Sequence, residues 1–141
     1  MKNNNAGSER RKFVRLSREY VVQYGEFRFS TQKISNYQGM TENISAGGVL
    51  IETEEGYSPG TLLKLKIRVP NWEKCKSGFL KFNQTSLSEP FVVLGRVVRV
   101  RKILPQGHEI GLHFVSIDED HRQALERYLE GELQKGEFNI E

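Results

Sequence analysis

Leu63-Lys64-Leu65-Lys66-Ile67-Arg68-Val69 alternates apolar and basic residues without a break. Successive side chains of an extended chain point to opposite faces, so this stretch reads as a β-strand. Its dry face carries Leu63, Leu65, Ile67 and Val69, and its wet face Lys64, Lys66 and Arg68. Pro59-Gly60, just upstream, marks the turn into it. The alternation returns at His108 to Val115, with Ile110, Leu112 and Phe114 on one face and Glu109, Gly111 and His113 on the other. Val92 to Val100 reads as another long strand, and Val49-Leu50-Ile51 as a short apolar one. Nearer the N-terminus, Tyr20 to Tyr24 is β-branched and aromatic, and Gly25 offers a turn toward Phe27-Arg28-Phe29, which predicts a hairpin.

After Val115 the period becomes helical. Leu125, Tyr128, Leu129 and Leu133 fall on one stripe, with Glu126, Arg127 and Glu130 outside it. Ser116 and Glu119 have the spacing of a capping box, Asp118 is a rival cap, and Gly136 stands near the expected helix end. The fold class that results is mainly β: six antiparallel strands closed into a small barrel, with one C-terminal α-helix. Closure removes the exposed edges that an open sheet leaves for aggregation. Residues 70–90 are polar and mixed; Trp72 reads as core, and Phe79-Leu80-Lys81-Phe82 as a short strand.

A chain of 141 residues with 37% hydrophobic and 28% charged residues suits one folded domain. We assign residues 10–135 to it, residues 1–9 to a flexible Asn-rich lead-in and residues 136–141 to a tail. No apolar run approaches the roughly 18 residues of a spanning helix, and MKNNNAGSERRK lacks the apolar stretch of a signal peptide. The expectation is a cytoplasmic protein without a membrane span. Cys75 is the lone cysteine, so it forms no internal disulfide or thiolate cluster. His108, His113 and His121 lack the spacing of a metal site, and no nucleophile stands with a base, so neither a metal, a cofactor nor an enzymatic role is expected.

Two local features remain. Arg10, Arg11, Lys12, Arg15 and Arg18 crowd nine positions ahead of the first strand, and Asn43-Ile44-Ser45-Ala46-Gly47-Gly48 precedes Val49-Leu50-Ile51. Alone, the first is an ordinary basic run and the second an ordinary turn. Together, and in this order, Arg11-x-x-x-Arg15 and Asn43-x-Ser45-x-x-Gly48 resemble the PilZ family, whose signature is RxxxR ahead of a β-barrel and then [DN]xSxxG at the turn into a later strand. Gly95-Arg96-Val97-Val98-Arg99, Gly111-Leu112-His113-Phe114 and the closing helix extend the likeness over about residues 10 to 134.

The resemblance implies a six-stranded barrel that binds cyclic di-GMP (c-di-GMP) between a flexible N-terminal arm and the outer barrel surface. The residue types suit that ligand. An arginine fork matches the O6 and N7 acceptors of guanine and pairs with phosphate, which makes Arg11 and Arg15 the candidates, with Lys12 and Arg18 adding attraction. Asn43 offers an amide oxygen to guanine N–H groups, Ser45 a hydroxyl, and Gly47 and Gly48 leave room for a ring close to the chain, so that a side chain at Gly48 should obstruct binding. Arg10, directly before the signature, implies two stacked ligand molecules per protomer. Output would pass through an unidentified protein effector, with the arm loose over residues 8–18 until ligand orders it. The rival readings are a small barrel for single-stranded nucleic acid, weakened by a net charge of only +3, and a ligand-free adaptor of the same fold.

Overall fold

The alternating stretch at Leu63 is a wall of a closed barrel. The computed structural model describes residues 12–27, 37–76, 89–103 and 105–139. In chain order the elements are β1 (Val21–Glu26), β2 (Tyr37–Ile44), β3 (Gly48–Thr53), β4 (Leu62–Ile67), a 3-10 turn (Trp72–Cys75), β5 (Phe91–Lys102), β6 (His108–Ser116) and α1 (Glu119–Asn139). The strands run β1-β2-β3-β6-β5-β4 around the barrel, and β4 pairs back onto β1, so every one of the six has a neighbour on both sides. All pairings are antiparallel. The chain turns into β4 through Ser58-Pro59-Gly60-Thr61, where the Thr61 N–H donates to the Ser58 carbonyl at 3.1 Å and Gly60 has φ 98°. Proline second and a left-handed glycine third is the pattern of a type II turn.

The dry face of β4 faces inward as its period requires: Leu63, Leu65 and Ile67 are fully buried, with Val22, Ile51, Phe91 and Ile110 from the other walls. Each such side chain contributes about 1.5–3 kcal/mol. One end of the barrel is plugged by Trp72, which is fully buried and meets Phe91 at 4.9 Å and His121 at 5.3 Å in edge-on contacts. Its indole N–H donates to the Glu89 carbonyl at 2.9 Å, so the buried donor is satisfied. Helix α1 lays Ala124, Leu125 and Leu129 into the core, and Tyr128 and Leu133 of the same stripe pack against its edge.

Four details differ from the sequence expectations. Gly25 makes no turn; it lies inside β1 opposite Lys64, because pairing with β4 continues past it to Glu26 and an extended glycine fits a paired strand. The strand returning beside β1 is β2, and Arg28 and Phe29 lie outside the described residues, as does Phe79-Leu80-Lys81-Phe82. The helix cap is Asp118, not a box built on Ser116: the Asp118 carboxylate accepts from the N–H groups of Asp120 at 2.8 Å and His121 at 3.3 Å, while Ser116 still belongs to β6. Finally, α1 runs through Gly136 to Asn139. Among the described residues no helix is long and apolar enough to cross a membrane.

The cap assignment separates two substitutions. Asp118→Ala is expected to lower stability by about 1 kcal/mol and Ser116→Ala to leave it nearly unchanged, as measured by urea unfolding.

Candidate functional site

The turn between β2 and β3 is built by one hydroxyl. Ser45 Oγ accepts from the N–H groups of Gly47 at 3.1 Å and Gly48 at 3.2 Å, while the Ser45 N–H donates to the Gly48 carbonyl at 2.9 Å. A serine holding the amides two and three residues ahead fixes the turn locally. The Gly47 carbonyl accepts from the Phe114 N–H at 3.0 Å, which ties the turn to β6. At Gly48 the constraint is the barrel itself: a Cβ there would fall on the Leu112 carbonyl oxygen. A side chain at Gly48 would thus meet the β6 backbone, a demand of strand pairing that is separate from any ligand. Just before the turn a register shift between Thr41 and Asn43 sets Asn43 opposite Leu50 on the outer face.

The basic arm reaches this turn through Leu16 and Ile44. Leu16 N–H donates to the Ile44 carbonyl at 2.9 Å and Ile44 N–H to the Leu16 carbonyl at 3.0 Å, with the Leu16 side chain buried. Phe13 then covers Gly47, where an added Cβ would come within 2.9 Å of its ring, and the Arg122 guanidinium of α1 lies 5.7 Å from the centre of that ring. The Val14 N–H donates to the Glu126 carboxylate of α1 at 3.4 Å. Arg18 turns away from the turn and pairs with Glu132 of α1, so its expected attraction for a ligand is not found here. The arm is accordingly not loose from residue 13 to 18: a hydrogen-bonded bridge and a buried leucine outweigh its polar composition.

Between arm, turn and sheet lies a depression of about 710 Å³. That is within the size of small-molecule sites, about 300–1,000 Å³. Lys12, Phe13 and Arg15 line it from the arm, Asn43, Ser45, Gly47 and Gly48 from the turn, Val49 and Leu50 from β3, Val98 and Arg99 from β5, and Gly111, Leu112 and His113 from β6. Among the described residues the lining holds three permanent cations and no carboxylate, the balance of an anion site. Of the residues singled out in the sequence, Arg15, Asn43, Ser45, Gly47 and Gly48 come together here; Arg10 and Arg11 lie outside the described residues. Arg99 and His113 are the additions. His113 was legible as an outward position of β6, whereas Arg99 reaches the outer face through a register shift between Val97 and Arg99 that leaves Val98 and Arg99 both exposed. No group of histidine, cysteine and carboxylate side chains suited to a metal occurs among the described residues.

A family model of the PilZ domain matches residues 9–131. This chain belongs to the PilZ domain family. Solved structures of similar fold include Bacillus subtilis inhibitor of motility, MotI/DgrA, at 21% identity and TM-score 0.65 over 89% of this chain and 52% of that one. The PilZ domain of Escherichia coli YcgR with c-di-GMP matches at 14% identity and TM-score 0.59 over 93% and 99% of the two chains. The K. pneumonia MrkH–c-di-GMP complex matches at 15% identity and TM-score 0.64 over 93% and 56%. The chain thus spans about half the length of MotI/DgrA and MrkH. Comparison with curated proteins finds no match.

Beside its depression the PilZ domain carries three carboxylates, Glu42, Glu52 and Glu109, on neighbouring strands. Partial burial, hydrogen bonds with Glu109 and Glu52 and repulsion from both push the Glu42 carboxyl up to about 8. Glu109 is pulled down, first by its hydrogen bond with Glu42 and also by Arg101, whose guanidinium lies 2.8 Å from it.

Two outcomes follow for the PilZ domain. Gly48→Ala should cost about 1–3 kcal/mol in urea unfolding because the β6 backbone must yield, and Gly47→Ala less, because only the Phe13 ring must move. A carboxyl with a raised folded pKa stabilises most when protonated, so the Glu42 contribution is complete below about pH 4.5 and is lost as pH rises through about 8. Glu42→Gln should therefore flatten the fall in thermal midpoint over that window and raise the midpoint above it.

Proposed function

We propose that this PilZ domain is a non-enzymatic receptor for c-di-GMP that relays the signal through contacts with a protein effector. The observation that carries the reading is the meeting of Arg15 with Asn43, Ser45, Gly47 and Gly48 around one depression whose described lining holds no carboxylate. A dianionic dinucleotide needs cations for its phosphates and fixed polar groups for its guanine edges, and this lining offers both. Family membership and the c-di-GMP complexes of the YcgR and MrkH neighbours favour the same ligand. Such a messenger would be met in the cytoplasm.

The roles we assign are these. Arg11 and Arg15 grip phosphate or a guanine edge, Asn43 accepts from guanine N–H groups, Ser45 holds the turn that presents Asn43, and Gly47 and Gly48 keep the chain bare at the floor. Arg10 meets a second, stacked ligand molecule, for a stoichiometry of two per protomer. Ligand-induced ordering does not reach residues 16–18, since Leu16 and Ile44 already tie that part of the arm to the barrel. A single-stranded nucleic-acid site needs aromatic platforms for successive bases. Phe13, the aromatic residue of the lining, is occupied by Gly47 and Arg122, which disfavours that rival.

Titration calorimetry of c-di-GMP into the full chain, with GTP and cyclic di-AMP as controls, tests the proposal. Selective binding of two molecules is expected, weakened about tenfold or more by Arg15→Ala. One molecule per protomer would remove the role given to Arg10, and an absence of heat would sink the receptor reading. In amide exchange, residues 16–18 should be equally protected with and without ligand.

A further inference from the structure

The outer face of β4 and β5 is both basic and aliphatic. On β4, Lys64 and Lys66 point outward between the buried Leu63, Leu65 and Ile67. On β5, Val92, Leu94, Arg96 and Val98 occupy the outward positions, with Val92 43% and Val98 45% exposed; Val115 of β6, 40% exposed, extends the patch beside Leu94. Among the described residues the cations have no acidic neighbour in register across the sheet: Lys64 stands between Gly25 and Leu94, Lys66 between Gln23 and Val92, and Arg96 between Leu62 and His113. Nothing in the core chemistry requires uncompensated charge alternating with exposed valine here.

We propose that this face is a docking surface for an acidic amphipathic helix of a partner protein. Each property of the occupant follows from the surface. Three cations without an acidic neighbour in register among the described residues ask for carboxylates, and the exposed Val92 and Val98 at the two ends of the row ask for aliphatic side chains, which a phosphate backbone does not offer. Among the described residues of β4 and β5 no aromatic ring faces outward on the patch to stack a base, which sets it apart from single-stranded nucleic-acid platforms. The barrel is closed, so a partner strand finds no free edge to extend, and contact must be made by side chains laid across the sheet. From Val92 to Val98 the outward row measures about 20 Å, the length of about 13 residues of helix.

The surface also adjoins the depression. Val98 belongs to both, and Arg96 is paired with His113, which lines the depression wall. A ligand seated there covers one end of the row and changes the charge beside Arg96, so docking and ligand occupancy are coupled; this coupling, though not the surface itself, rests on the receptor reading.

The test is an NMR titration of the full chain with a synthetic helical peptide of about fourteen residues, leucines on one stripe and glutamates on both flanks. Controls are the same peptide with lysine for glutamate and a single-stranded oligonucleotide. Expected are shift changes at Lys64, Lys66, Val92, Leu94 and Arg96, an affinity about tenfold or more weaker in Lys64→Glu/Lys66→Glu with an unchanged thermal midpoint, and a smaller loss in Val92→Ser. Shifts located elsewhere, equal binding of the lysine peptide, or preferential binding of the oligonucleotide to this face would overturn the proposal. Saturating c-di-GMP should change the peptide affinity several-fold, and an unchanged affinity with ligand bound overturns the coupling. If calorimetry shows no c-di-GMP binding, the receptor reading fails, while the peptide titration still decides the surface.

Discussion

Two hydrogen bonds between Leu16 and Ile44 carry the architecture of the site. They clamp the basic arm to the last residue of β2, immediately before the turn that Ser45 holds. Each contributes about 0.5–1.5 kcal/mol, and burial of the Leu16 side chain adds a similar or larger amount. Without that clamp Arg15 and Asn43 would belong to separate parts of the chain. With it, the two halves of the signature face one depression, Phe13 packs over Gly47, and the arm is brought within reach of Arg122, Glu126 and Glu132 on α1. The helix is thus more than a lid for the barrel end; it holds the back of the arm whose front meets the site.

Closure of the sheet has two consequences at once. It buries the alternating apolar positions of all six strands in one core, and it leaves the outward positions free for chemistry, because no strand edge has to be protected. The depression and the basic aliphatic face both lie on that outer surface, joined at Val98 and at the pairing of Arg96 with His113. Local departures from regular pairing shape them. The shift before Asn43 and the shift before Arg99 each expose a polar side chain that strict alternation would not have put there, a common use of bulges near sites.

The glycines illustrate why a motif position and its physical cause need separate treatment. Gly48 is a signature position, and its bareness suggested space for a ligand ring. The nearest obstacle to a side chain is instead the Leu112 carbonyl of the adjacent strand, so the residue is required by pairing before it is required by binding. Ser45 is similar: its oxygen is committed to the amides of Gly47 and Gly48, and it serves the site by fixing the turn that presents Asn43.

What the sequence determined by itself was whatever depends on short-range periodicity and on linear order. The dry face of β4, the outward and inward faces of β6, the stripe of α1 and the two signature halves were all legible, because alternation of two and of 3.6 residues is written locally. Strand β2 was not, since its apolar pattern is broken at Glu42 by a register shift that only its pairing with β3 creates. Gly25 and Ser116 misled for the same reason: turn and cap propensities are weak local preferences, and hydrogen bonds from β4 and from Asp118 overrode them. Tertiary structure alone decided that Arg18 leaves the site for Glu132, that Arg99 and His113 join it, and that Lys64, Lys66 and Arg96 share an outer face with Val92, Leu94 and Val98 and have no acidic neighbour in register among the described residues. Those facts concern which residues become neighbours across strands far apart in the chain, and closing the barrel is the step that settles them.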